Sequence, residues 1–143
     1  MNRAFTRSSG ILMHITSLPG YWDTGDFGKE ACHFIDSLHN GMQTLWQILP
    51  LTIPDATGSP YASISAFAGN PLFVNPEQLK EDGLLPEEIY TQVMSSNLSQ
   101  NEKKKRLLKE SCKYALNFES TNSAFTDFKD KNKYWLPDYA QFN

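Results

Sequence analysis

A tyrosine set among hydroxyl and carboxamide side chains is equipped to handle a sugar, and one stretch of this sequence has that make-up. Gly58-Ser59-Pro60-Tyr61 and Ser63-Ile64-Ser65-Ala66-Phe67-Ala68-Gly69-Asn70-Pro71 form a long run of small residues with aromatic and polar groups spaced through it. A flat ring stacks on a sugar face, while serine and asparagine donate to and accept from its hydroxyls. A plainer job suits the same residues: Tyr61, Phe67 and Asn70 could plug strand ends and cap a turn. Composition alone favours the plainer job.

Other reactive side chains are scattered rather than gathered. Asp23, Asp26 and Asp55 are the acids nearest the predicted strand ends, where barrel active sites collect. Asp26 reads as a helix cap, and Asp55, inside Thr52-Ile53-Pro54-Asp55-Ala56-Thr57-Gly58, reads as a turn residue. No catalytic pair is assigned to them. His14 sits in an apolar run as a core histidine, and His33 and His39 share a helix without partners, so no metal site is expected. Cys32 and Cys112 are far apart and outside any CxxC spacing, which excludes a zinc motif or a disulfide framework and predicts two buried thiols. No cofactor is implied.

Over 143 residues, 20% are charged and the formal net charge is −3, so no basic stripe exists for nucleic acid and an uncharged ligand fits better. The one basic run, Lys103-Lys104-Lys105-Arg106, reads as a solvated helix face. Nowhere do eighteen apolar residues run together, and residues 1–7 hold no apolar stretch of signal-peptide length. No membrane span is expected, and a cytoplasmic location follows.

These groups need a scaffold, and the apolar pattern supplies one. Residues 10–15 form a short continuous apolar run, closed by Thr16-Ser17-Leu18-Pro19-Gly20, that predicts a strand buried on both faces and ending in a polar loop. Gly25-Asp26 then opens a helix carrying Phe27, Ala31, Phe34, Ile35 and Leu38 on one stripe, with Gly41 as its stop. Residues 44–51 read as a second strand. Strand, helix, strand at this length is a right-handed crossover with parallel strands. Two strands cannot cover both faces of such a sheet, so incomplete burial is expected at Ile11, Leu12, Met13, Leu45, Ile48 and Leu49.

From Asn75-Pro76 onward the signals are helical. A short helix should close at Gly83, another should start at Leu85-Pro86-Glu87, and a longer one over 101–118 should face inward with Leu108, Cys112, Ala115 and Leu116. Phe125, Phe128, Trp135, Leu136, Tyr139 and Phe142 continue the aromatic character. Residues 95–100, Ser-Ser-Asn-Leu-Ser-Gln, look like a mobile loop.

Four of these segments together carry a resemblance. Gly10-Ile11-Leu12 with His14 and Thr16-Ser17-Leu18-Pro19-Gly20, then Trp46-Gln47-Ile48-Leu49-Pro50-Leu51, then Ser59-Pro60-Tyr61, then Ser65-Ala66-Phe67-Ala68-Gly69-Asn70-Pro71 resemble the amylomaltases of glycoside hydrolase family 77, in that family's order and spacing. Trp135-Leu136, Asp138-Tyr139-Ala140 and Phe142 resemble a further stretch. Residues 52–58 depart from the family's usual Gly-Pro-Thr-Gly-Tyr-Gly-Asp, and an aromatic common there is replaced by Ala56.

The resemblance implies an α/β fold: the opening strand-helix-strand part of a (β/α)8 barrel in residues 1–75, with a helical insertion in 76–143. It implies a 4-α-glucanotransferase that moves α-1,4-glucan segments between malto-oligosaccharides or starch-derived glucans. Retention in such enzymes uses two carboxyl groups about 5–5.5 Å apart, one nucleophile and one acid/base. In the family these lie in later strands, so the 143-residue chain is expected to be an N-terminal fragment, inactive alone. Ser59 and Tyr61 fall on family residues that contact the glucan, Ser59 by hydrogen bonding and Tyr61 as a stacking platform. A binding or interaction module that keeps the glucan-facing loop is the alternative.

Overall fold

The computed structural model describes residues 7–117 and 123–142. Strand β1 (Gly10–Leu12) leads through a 3-10 turn (Ile15–Ser17) and a long loop to helix α1 (Lys29–Asn40), which returns to strand β2 (Leu45–Gln47). A second long loop and a 3-10 turn (Pro71–Phe73) lead into α2 (Pro76–Glu81), α3 (Glu87–Met94), α4 (Gln100–Leu116), α5 (Ser123–Lys131) and α6 (Leu136–Phe142). The strands pair in parallel, with Gly10 opposite Leu45, Ile11 opposite Trp46 and Leu12 opposite Gln47. The expected strand-helix-strand unit with parallel strands is therefore present.

Both strands are shorter than the apolar runs that announce them, and they are not buried on both faces. Leu12 is 61% exposed, and Ile11 and Leu45 are exposed too. A side chain on a two-stranded ladder meets cover only where α1 or a loop lies over it, and here the inward contacts come from Met13, Phe34, Trp46, Ile48 and Leu51 around a core of Ile15, Leu18, Ala31 and Phe73. Phe34 of α1 meets Trp46 of β2 edge-on at 4.9 Å, and the Trp46 indole N–H donates to the Met13 carbonyl at 2.8 Å. Ile35 and Phe27, assigned to the same inward stripe, stay exposed.

The second core gathers Trp22, Leu85, Val93 and Leu107, flanked by Leu79, Ile89, Tyr90 and Met94. The start signals operate as the residue types dictate. Asn75 accepts from the Gln78 N–H with Pro76 behind it, Gly83 ends the turn at φ 72°, and α3 begins after Pro86.

Four expectations need correction. Residues 95–100 are a capped turn: Ser95 and Ser96 hydroxyls donate to the Thr91 and Val93 carbonyls, and Ser99 with Glu102 forms a capping box opening α4. The buried stripe of α4 is Lys104, Leu107 and Ser111, not Leu108, Cys112 and Leu116. Polar Lys104 and Ser111 turn inward because partners wait for them, the Asp26 carboxylate and the Leu84 carbonyl. The basic run is thus not wholly solvated, and Cys112 faces out, as does Cys32 on α1. The predicted helix end at Phe118 lies outside the described residues.

Candidate functional site

Parallel strands deliver their loops to one end, and a cavity of about 300 Å³ opens there. His14, Thr16 and Ser17 follow β1, Leu49, Pro50, Thr52 and Pro54 follow β2, and Gly58, Pro60, Asn70 and Phe73 come from the second long loop. That loop is ordered by its own backbone. Thr52 bridges Gly69 and Pro54 bridges Ser63 in antiparallel pairs, the Asn70 N–H donates to the Leu51 carbonyl at 2.8 Å, and the Asp55 N–H donates to the Ala62 carbonyl at 2.7 Å. Asp55 accepts from the Thr57 N–H at 2.9 Å and from its hydroxyl, bonds that hold its carboxyl below the usual carboxylate range. It is a turn residue, as its sequence context dictates.

Ser59 and Tyr61 flank Pro60, which lines the cavity, but neither lines it itself. The Ser59 hydroxyl accepts from the Tyr61 N–H at 3.4 Å, and the Ser59 carbonyl accepts from the Ala62 N–H at 3.0 Å. Tyr61 is 75% exposed, so its ring plugs nothing. The plainer job does describe Asn70, whose side chain accepts from the Leu72 N–H at 3.0 Å and caps the second 3-10 turn. Phe67 instead stacks on Trp135 with ring centres 5.6 Å apart, and Trp135 meets Tyr139 edge-on, joining the loop to the α5–α6 region.

His14 is a wall residue that the apolar run did not single out. Its Nδ1 accepts from the Leu49 N–H at 3.2 Å, its ring meets Phe73 edge-on at 5.6 Å, and burial pushes its pKa down. The available signal was its place at the strand end, just before the polar Thr16-Ser17. No aspartate or glutamate lines the cavity. Asp26, tempting as a catalytic acid, is bound up elsewhere. Its Oδ1 accepts from the Gly28 N–H and from Asn75 Nδ2, both at 3.0 Å, and its Oδ2 is paired with Lys104. The N-cap of α1 is Gly28, so Asp26 braces the helix entry from two residues upstream. Among the described residues no group of three or more His, Cys, Asp or Glu gathers as a metal site would require.

The sequence profile of the 4-alpha-glucanotransferases, glycoside hydrolase family 77, matches residues 13–143. This chain belongs to that family. It is 40% identical over 141 residues to the 4-alpha-glucanotransferase of Aquifex aeolicus, covering 95% of this chain and 28% of the relative. With the Streptococcus pneumoniae enzyme the identity rises to 52% over 79 residues, 55% of this chain and 16% of that one. The amylomaltase of Streptococcus agalactiae, solved in complex with acarbose, superposes with a TM-score of 0.81 at 37% identity, over 96% of this chain and 29% of its own. The chain therefore spans less than a third of the length of these glucanotransferases.

Proposed function

We propose that this chain is the N-terminal part of a 4-α-glucanotransferase, and that the cavity at the strand ends is one wall of its glucan site. The observation that supports the reading is a strand-end cavity lined by Gly58 and Pro60, the chain neighbours of a half-buried Ser59 and an exposed Tyr61, in a chain of this family. Tyr61 would stack on a sugar ring, and Ser59 would hydrogen-bond a sugar hydroxyl. The strand-helix-strand unit would open a (β/α)8 barrel, with the helices from α2 onward as an insertion after the second strand.

The reaction would be a double displacement with retention. A carboxylate attacks the anomeric carbon and expels the first glucan, which takes a proton from the acid. The hydroxyl of a second glucan then gives its proton to the same group, now the base, and displaces the carboxylate. Both carboxyl groups would come from later strands, as the family resemblance implies; the cavity wall described here contributes no aspartate or glutamate. The setting would be cytoplasmic; among the described residues no helix is long and apolar enough to cross a membrane.

Maltotriose is the discriminating ligand. Titrated into the chain, it should perturb the Tyr61 ring and Ser59 amide signals in NMR spectra without yielding glucose or longer oligosaccharides. Tyr61→Ala should abolish the shift of the Ser59 amide while the melting temperature holds. Transfer products from contaminant-free chain would overturn the division of labour. A melting temperature that fell with binding intact would return Tyr61 to a structural role.

A further inference from the structure

Asp26 and Lys104 are the charged side chains buried among the described residues, 8% and 3% exposed, and neither lines the cavity. A sequestered ion pair is a poor device for stability alone, because losing hydration offsets most of its attraction. Its surroundings suggest another use. Gly25, Asp26 and Phe27 are consecutive, and the residues on either side of Asp26 are bonded to the cavity wall. The Gly25 N–H donates to the Thr16 carbonyl at 3.3 Å, and the Phe27 N–H donates to the Phe73 carbonyl at 2.9 Å. Thr16 and Phe73 both line the cavity, and Phe73 carries the edge contact to His14.

The strut has no slack. A Cβ on Gly25 would lie 2.2 Å from the Ile15 carbonyl oxygen and 2.8 Å from that of Leu18, so the backbone is packed directly against the turn after β1. On the far side, Lys104 reaches Asp26 from α4, with its ammonium 5.7 Å from the centre of the Trp22 ring. Asn75 adds a third donor to the carboxylate while its own oxygen caps α2. One carboxylate thus ties α4, the start of α2 and the entry to α1 to a tripeptide that carries two wall residues.

We propose that Asp26 and Lys104 are positioning residues, through which the placement of α4 sets the wall of the strand-end cavity at Thr16, Phe73 and His14. The coupling of α4 to the cavity wall needs no ligand. Its consequence for glucan binding rests on the function proposed above.

The test uses the 143-residue chain as parent, Lys104→Arg, and the double variant Asp26→Asn with Lys104→Met. Lys104→Arg keeps the charge but changes reach and shape, and the double variant removes both charges without stranding either. Both should melt near the parent. Both should nevertheless shift the His14 ring-nitrogen signals, the Leu49 amide that bonds His14, and the Asn70 amide, and should weaken maltotriose about tenfold, as small misplacements do. If either variant folds with those signals unmoved, the positioning role is overturned. It is equally overturned if neither variant folds, since the pair would then be a stability element. A parent chain that ignores maltotriose would sink the glucan reading alone, and the His14, Leu49 and Asn70 signals would still decide the positioning role.

Discussion

The two cores of this chain are built differently. Around Ile15 and Phe73, aliphatic and aromatic residues pack under a two-stranded ladder that leaves Ile11, Leu12 and Leu45 in solvent. Around Leu107 and Leu85, apolar burial is finished by polar staples. The Trp22 indole N–H donates to Glu77 at 3.0 Å, the Tyr90 hydroxyl donates to the same carboxylate at 2.9 Å, Ser111 bonds the Leu84 carbonyl, and Lys104 meets Asp26. Burial and the Glu77 carboxylate both push the Tyr90 phenol well above its usual pKa, so it stays a donor. A helical cluster closes on itself because each helix satisfies its own backbone, whereas a parallel sheet needs further strands and covering helices to satisfy its edges and faces.

The largest expected effect tests that contrast directly. Leu107 is fully buried, so Leu107→Ala should cost about 2–5 kcal/mol in urea unfolding. Leu12→Ser, at an exposed strand position, should change stability by no more than about 0.5 kcal/mol. Comparable losses at both positions would mean that the strand face is covered in solution.

Hydrogen exchange sharpens the same comparison along the backbone. Amides of residues 104–111 should exchange more slowly than those of 45–47, which sit in a ladder of three residues per strand. Equal or stronger protection at 45–47 in a soluble monomer would break the contrast and favour a free-standing module.

A smaller effect is expected at the α1–β2 turn. Gly41 follows α1 with φ −80°, and it is Met42 that adopts the left-handed conformation, at φ 56°. A side chain there carries a strain of roughly 1–2 kcal/mol, part of which glycine gives back as unfolded-state entropy. Met42→Gly should therefore stabilise the chain by up to about 1 kcal/mol. A lowered urea midpoint would show that the exposed Met42 side chain makes contacts that matter more than its backbone.

The smallest effect belongs to His14. Its folded pKa lies below the ordinary 6.5 because burial disfavours the charged ring. The unfolded chain therefore binds the proton more readily, so stability is full above about pH 6.5 and declines as pH falls through the window between 6.5 and the folded value. Protonation also turns Nδ1 from acceptor to donor and breaks its bond from Leu49. Parent and His14→Gln melts compared across that window should diverge toward low pH, and parallel curves would remove His14 from the account.

The sequence alone determined much of this. Asn75-Pro76, Pro86-Glu87 and Gly83 marked helix limits because capping and φ preferences are local chemistry. Apolar runs at 10–15 and 44–51, separated by one amphipathic helix, specified a parallel crossover. Ser59-Pro60-Tyr61 drew attention to the loop whose Gly58 and Pro60 line the strand-end cavity. Only the tertiary structure decided which polar residues turn inward. Lys104 reads as a solvated lysine and Asp26 as a helix cap until α4 and the loop after β1 are brought together across 78 positions of sequence. Burial of a charge depends on a partner, and the partner is a fact of three dimensions. The strands show the converse: their apolar faces are local to the sequence, but whether they are covered depends on neighbouring elements, and the described residues leave Leu12 and Leu45 exposed.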